Sequence, residues 1–108
     1  ALTLRVTTAE SLPDFEVYLV ACSFGGDAWC IQKRFSAFVE LYDAISAIDG
    51  SELPPLPAKT YFGNRSVEFL AERLAALDEF VQKLYPACNG EQQKLIQEFV
   101  CAGRLRAK

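Results

Sequence analysis

The chain has 108 residues, 51% hydrophobic and 12% aromatic, enough to bury a core without metal or disulfide support, so residues 1–108 are expected to form a single domain. A formal net charge of -3 argues against broad adhesion to nucleic acid or to an anionic membrane, and any anion site has to be local. Histidine is absent, which removes mixed zinc sites and undercuts general-base catalysis, and no apolar run is long enough to span a bilayer. The expectation is therefore a protein that is not an enzyme, needs no cofactor or metal and works in the cytoplasm. No basic segment leading into an apolar stretch opens the sequence, so no signal peptide is expected.

Leu2, Leu4 and Val6 alternate with Thr3, Arg5 and Thr7, which predicts a strand with one buried face. Phe15, Val17, Leu19 and Ala21 predict a second strand and are taken as its buried face. Gly25-Gly26-Asp27 reads as a turn, and Trp29, Ile31 and the stem of Lys33 continue as a third strand in a hairpin with the second. Cys22 and Cys30 fall on neighbouring strands, where register decides whether they meet. Buried reduced thiols are the expectation for all four cysteines, with a Cys22–Cys30 disulfide the alternative.

Ser36 is taken as the N-cap of a first helix carrying Phe38, Leu41, Tyr42, Ile45 and Ile48 at helical spacing up to Asp49-Gly50. Pro54, Pro55 and Pro57 forbid helix and predict a stiff extended loop with Lys59 at its end. Ser66 to Tyr85 reads as a long helix with a stripe of Leu70, Leu74, Leu77, Val81 and Leu84, closed by Pro86. A short last helix carries Leu95, Ile96, Phe99 and Val100. The fold class predicted is α+β: a small three-stranded antiparallel sheet followed by a helical subdomain of three main helices, with a proline-rich loop between the first and second.

Three cations stand out because their neighbours argue for burial or rigidity. Glu68, Glu72, Asp78 and Glu79 mark the polar face of the long helix, whereas Arg73 falls on the apolar arc between Leu84 and Phe80. Arg34 stands with Phe35 at a strand-to-helix corner, where a guanidinium and free helix N–H groups favour an anion. Lys59 hangs from the proline loop. Each alone has an ordinary explanation, such as an internal pair with one of the many carboxylates or a solvated surface charge.

Taken in order, Trp29-Cys30-Ile31-Gln32-Lys33-Arg34-Phe35-Ser36-Ala37-Phe38, Leu53-Pro54-Pro55-Leu56-Pro57-Ala58-Lys59, and Phe62-Gly63-Asn64 leading to Phe69-Leu70 and Arg73 closely resemble the phox-homology (PX) family, particularly the PX domains of sorting nexins. The resemblance covers essentially the whole chain. It implies a phosphoinositide-binding module for phosphatidylinositol 3-phosphate, peripheral on endosomal membranes and serving trafficking. By the same resemblance Arg34 and Ser36 hold the 3-phosphate and Phe35 lies under the inositol ring. Lys59 meets the 1-phosphate, and Arg73 takes the 4- and 5-hydroxyls. Leu56, Tyr61 and Phe62 are the membrane insertion candidates, Tyr61 foremost, since an aromatic body with a polar tip suits the bilayer interface.

Two readings of a different class stand beside this one. Pro54 to Lys59 fits a polyproline ligand of a Src-homology-3 domain, with Pro54 and Pro57 presented together and Lys59 toward an acidic pocket. Alternatively the chain is a protein-interaction scaffold whose pocket arginines are satisfied by its own acids, with no lipid binding.

Overall fold

In a computed structural model the chain is described over residues 2–48, 52–57 and 66–102. Three strands, β1 (Thr3–Ser11), β2 (Glu16–Phe24) and β3 (Asp27–Arg34), precede three helices, α1 (Phe35–Ser46), α2 (Val67–Ala87) and α3 (Gly90–Cys101). The sheet is antiparallel in the order β1-β2-β3, so the predicted α+β architecture of a sheet followed by helices is the one observed. Residues 52–57, which hold three of the five prolines, carry neither helix nor strand.

The β2–β3 hairpin turns through two residues between the paired Phe24 and Asp27, with Gly25 at φ 62°. A positive φ at the first central position is what glycine permits and what a tight primed turn requires. Register then builds rows across the sheet: Leu4, Cys22 and Trp29 form one, and Val6, Val20 and Ile31 the next. These rows face the core, where Leu4, Val6, Val20, Cys22 and Ile31 are buried together with Phe38, Ile45, Leu77, Leu84 and Ile96 from the helices. A register shift between Val6 and Thr8 inserts Thr7 as a bulge in β1.

Two expectations are corrected here. The buried face of β2 is Glu16, Tyr18, Val20 and Cys22, while Val17, Leu19 and Ala21 on the other face are only half-buried. Both faces of β2 are largely apolar, so alternation within the strand does not choose between them; pairing to Leu4, Val6 and Ile31 does. The disulfide alternative fails for the same reason: Cys22 pairs with Trp29 and Cys30 with Ala21, which sends the two thiols to opposite faces, and all four cysteines are free.

Side-chain ties hold the helices to the sheet and to each other. Trp29 Nε1 donates to the Val100 carbonyl at 2.8 Å, joining the end of α3 to β3. Gln92 Nε2 donates to the carbonyls of Ile45 at 3.0 Å and Ile48 at 3.1 Å, joining the start of α3 to the end of α1. Ser66 caps α2 by accepting from the Phe69 amide, and Pro86 lies in the last turn of that helix, which runs on to Ala87 and does not stop at Tyr85. The Asp49-Gly50 end expected for the first helix lies outside the described residues.

Asp78 is a further correction, because it is no solvated member of a polar helix face. Its carboxylate accepts from Arg5 Nε at 3.0 Å, from Arg5 Nη2 at 2.9 Å, from the Val6 amide at 2.8 Å and from Gln82 Nε2 at 3.0 Å. The last-but-one of these bonds satisfies an outward N–H of the edge strand β1. The Arg5 hydrogen bonds first, then the Val6 amide and the Arg5 charge, outweigh desolvation and hold the Asp78 carboxyl below its ordinary value. A lowered folded value means that this stabilisation is complete above the unfolded value, about pH 4, and is lost as pH falls through the folded one. The stability advantage of the wild-type chain over Asp78→Asn, measured by urea unfolding, is therefore expected to shrink steadily below about pH 4. A difference that stays constant down to pH 2 would remove the Arg5–Asp78 contact from the ledger of acid sensitivity.

Candidate functional site

β3 passes into α1 without a loop. Arg34 is the N-cap, in extended conformation at φ -80° and ψ 161°, and its side chain makes no capping hydrogen bond. The predicted N-cap, Ser36, is instead the second helical residue and is exposed, so its hydroxyl is not committed to a cap. The cap moves back because strand pairing of Arg34 with Val17 persists to the last residue before helical geometry begins. The first-turn N–H groups of α1 have no intrahelical acceptor by geometry, and no acidic residue stands in that turn.

Around this corner Phe15, Glu16, Arg34, Phe35, Ser36, Val39, Glu40 and Arg73 line one cleft of about 370 Å³. Four of the five residues singled out from the sequence for headgroup contacts, Arg34, Phe35, Ser36 and Arg73, are brought together in it. Lys59 lies outside the described residues, as do Tyr61 and Phe62. Leu56 is described: it is half-buried and packs against the core, which is a poor posture for a side chain meant to enter a bilayer.

Both guanidinium groups stand on aromatic rings. The Arg34 guanidinium carbon lies 4.0 Å from the centroid of Phe15, and that of Arg73 lies 3.9 Å from Phe35 and 5.3 Å from Phe69. A guanidinium held over a ring at this distance makes a cation–π contact that limits its side-chain freedom before any ligand arrives. Arg73 is only 5% exposed, in keeping with its place on the apolar arc of α2, while Arg34 is exposed and makes no ion pair among the described residues. Two acids share the cleft, Glu16 buried at the start of β2 and Glu40 exposed on α1.

The sequence reading assigns none of Phe15, Glu16, Glu40 and Phe69 to the site, although Phe69 stands in the motif that carries the family resemblance. Phe69 and Glu40 carried a signal, each standing four residues from a marked residue on the same helix, Arg73 and Ser36. Glu16 was hidden by the inverted face of β2. Read in the observed phase, it extends the buried row of Tyr18, Val20 and Cys22 to the edge of the cleft.

The proline segment leans on α2. Pro54, Pro55, Leu56 and Pro57 line a second cavity of about 250 Å³ with Ala76, Glu79, Phe80 and Lys83. Pro54 and Pro57, the pair needed for a polyproline ligand, are both half-buried there.

A family model described as PX domain matches residues 22–101. The serine/threonine-protein kinase Sgk3 of Rattus norvegicus is 36% identical over 80 residues, covering 71% of this chain and 16% of the kinase. Sorting nexin-1 of Homo sapiens is 29% identical over 109 residues, covering 89% of this chain and 19% of the nexin. The chain thus spans less than a fifth of either relative. Among solved structures, that of a designed CISK-PX domain superposes with a TM-score of 0.80 at 19% identity, over 93% of this chain and 99% of the other, a likeness of fold.

Proposed function

The chain belongs to the PX domain family of phosphoinositide-binding modules, and on that premise we propose that it reads phosphatidylinositol 3-phosphate and carries its parent protein to endosomal membranes for sorting. The observation that carries this reading is the single cleft holding Arg34, Phe35, Ser36 and Arg73, with both guanidinium groups set on aromatic rings. PX domains are not catalytic, and the kinase among the relatives is matched over only 16% of its length. Residues 1–108 are read as one such module.

In this reading the 3-phosphate sits at the strand-to-helix corner. Arg34 donates to it as a fork, the Ser36 hydroxyl adds a further bond, and the free N–H groups of α1 supply a positive end. Phe35 floors the inositol ring while Arg73, backed by Phe35 and Phe69, reaches the 4- and 5-hydroxyls. Lys59 is assigned the 1-phosphate. Apolar contact with the bilayer is assigned to Tyr61 and Phe62, and Val67, 80% exposed as the first residue of α2, is a further candidate; Leu56 is better accounted for by the core. No helix among the described residues is long and apolar enough to cross a membrane, so attachment in this reading is peripheral.

The polyproline reading has weaker support, because a partner would have to lift Pro54 and Pro57 from α2. The scaffold reading, with the cleft arginines paired internally, has Glu16 and Glu40 in its favour and against it that Arg34 makes no ion pair among the described residues.

The test is sedimentation with neutral liposomes containing phosphatidylinositol 3-phosphate, beside matched liposomes with the unphosphorylated, 4-phosphorylated and 3,5-bisphosphorylated lipids. Selective pelleting with the 3-phosphate is the expected result. Folded protein that pellets with none of them would leave the family's fold here without its lipid function.

A further inference from the structure

The two acids of the cleft have no place in the headgroup contacts just assigned. A site that exists to hold a phosphate gains nothing from a carboxylate beside it, since like charges in a shared site repel, and more so where water is excluded. Glu16 is nevertheless 5% exposed and points from the core-facing row of β2 into the same cleft as Arg34 and Arg73. Glu40 stands one turn after Ser36 on α1, on the same side of the cleft mouth. Among the described residues that line the cleft, two arginines are balanced by two glutamates, so the formal charge is zero.

That balance limits how much negative charge the cleft accepts. A phosphate monoester brings between about one and a half and two negative charges, and a second phosphate doubles this. A carboxylate discriminates in both directions: it accepts a hydrogen bond from a free ring hydroxyl, and phosphorylation of that hydroxyl removes the donor and adds a like charge. Resting on the headgroup reading above, we infer that Glu16 and Glu40 are specificity-determining residues that restrict the cleft to an inositol ring carrying one phosphate within it. Arg73 recognises the hydroxyls by attraction, and the glutamates reject their phosphorylated forms by repulsion.

The experiment is titration of the folded domain, by calorimetry, with short-chain phosphatidylinositol 3-phosphate and its 3,4- and 3,5-bisphosphorylated counterparts, which removes any effect of the bilayer surface. The variants are Glu40→Gln, exposed and safe for the fold, and Glu16→Gln, with Glu91→Gln as a charge-matched control. Glu91 is in the first turn of α3, whose next residue holds the far end of α1, so it stands roughly 15 Å along α1 from the Arg34 corner and does not line the cleft. A carboxamide no longer repels a second phosphate and accepts a ring hydroxyl's hydrogen bond less strongly, so the two effects offset for the monophosphate and add in the comparison: each cleft variant is expected to raise the ratio of bisphosphate to monophosphate affinity by about threefold or more, with no gain in monophosphate affinity beyond about twofold. Glu91→Gln leaves the ratio where it was. A ratio unchanged in both cleft variants, or changed as much by Glu91→Gln, overturns the inference while the monophosphate still binds the wild type. Failure of the wild type to bind any of the three overturns the headgroup reading itself, and the inference with it.

Discussion

Arg34→Ala is expected to lower affinity for the phosphatidylinositol 3-phosphate headgroup by about a hundredfold or more while the domain remains folded. Two charge-assisted hydrogen bonds of roughly 1.5–3 kcal/mol each are lost when a forked guanidinium leaves a phosphate, and about 1.4 kcal/mol is a tenfold change. The fold has little to lose. Arg34 is exposed, makes no ion pair among the described residues, and contributes to the native state chiefly by stacking on Phe15 at 4.0 Å. Stability should therefore fall by less than about 1 kcal/mol in urea. Arg34→Lys separates charge from geometry: it keeps the cation but not the planar fork, and an intermediate loss of about tenfold is expected. Liposome sedimentation of the three proteins decides the matter, and binding at wild-type strength by folded Arg34→Ala would withdraw the assignment of this residue to the phosphate.

Gln92→Ala should be the costliest change of a polar side chain for the fold, by about 2–4 kcal/mol. The side chain is wholly buried, at 0% exposure. Its amide nitrogen bonds the carbonyls of Ile45 and Ile48, and its oxygen accepts from the Asn89 amide at 2.9 Å in a capping box that starts α3. Alanine removes all three bonds, leaves the Ile45 carbonyl only its local bonds from the turn that ends α1, and opens a cavity. Gln92→Met restores the volume without the hydrogen bonds and is expected to recover less than half of the loss. Equilibrium unfolding in urea measures both. A cost below 1 kcal/mol for the alanine variant would mean that α1 and α3 are joined by apolar packing alone, through contacts such as Phe38–Phe99 at 5.4 Å.

The elements were legible because their periodicities do not overlap. Alternation in Leu2–Val6 and Trp29–Lys33, helical spacing in Leu70–Leu84, and a glycine pair between apolar runs each point to one local structure. Arg73 was legible as well, since a charge on an apolar arc is visible on a helical wheel without knowledge of the neighbour. β2 was not, as Val17, Leu19 and Ala21 are as apolar as Tyr18, Val20 and Cys22. The N-cap was misplaced because serine is the better capping residue, yet strand pairing through Arg34 leaves no residue free to precede the helix.

By itself the sequence determined the order and type of the elements, the cations with reason to be held in place, and the family those residues resemble. These follow from local periodicity and from the identity of residues close together along the chain. The tertiary structure alone decided which face of β2 is buried, that Glu16 joins Arg34 and Arg73 in one cleft, that Phe15 and Phe69 support the two guanidinium groups, and that Asp78 serves the edge of β1. Each of these depends on strand register or on helix docking. Both are set by the joint burial of residues far apart in sequence, and a period measured within one segment carries no record of the partner that segment will meet.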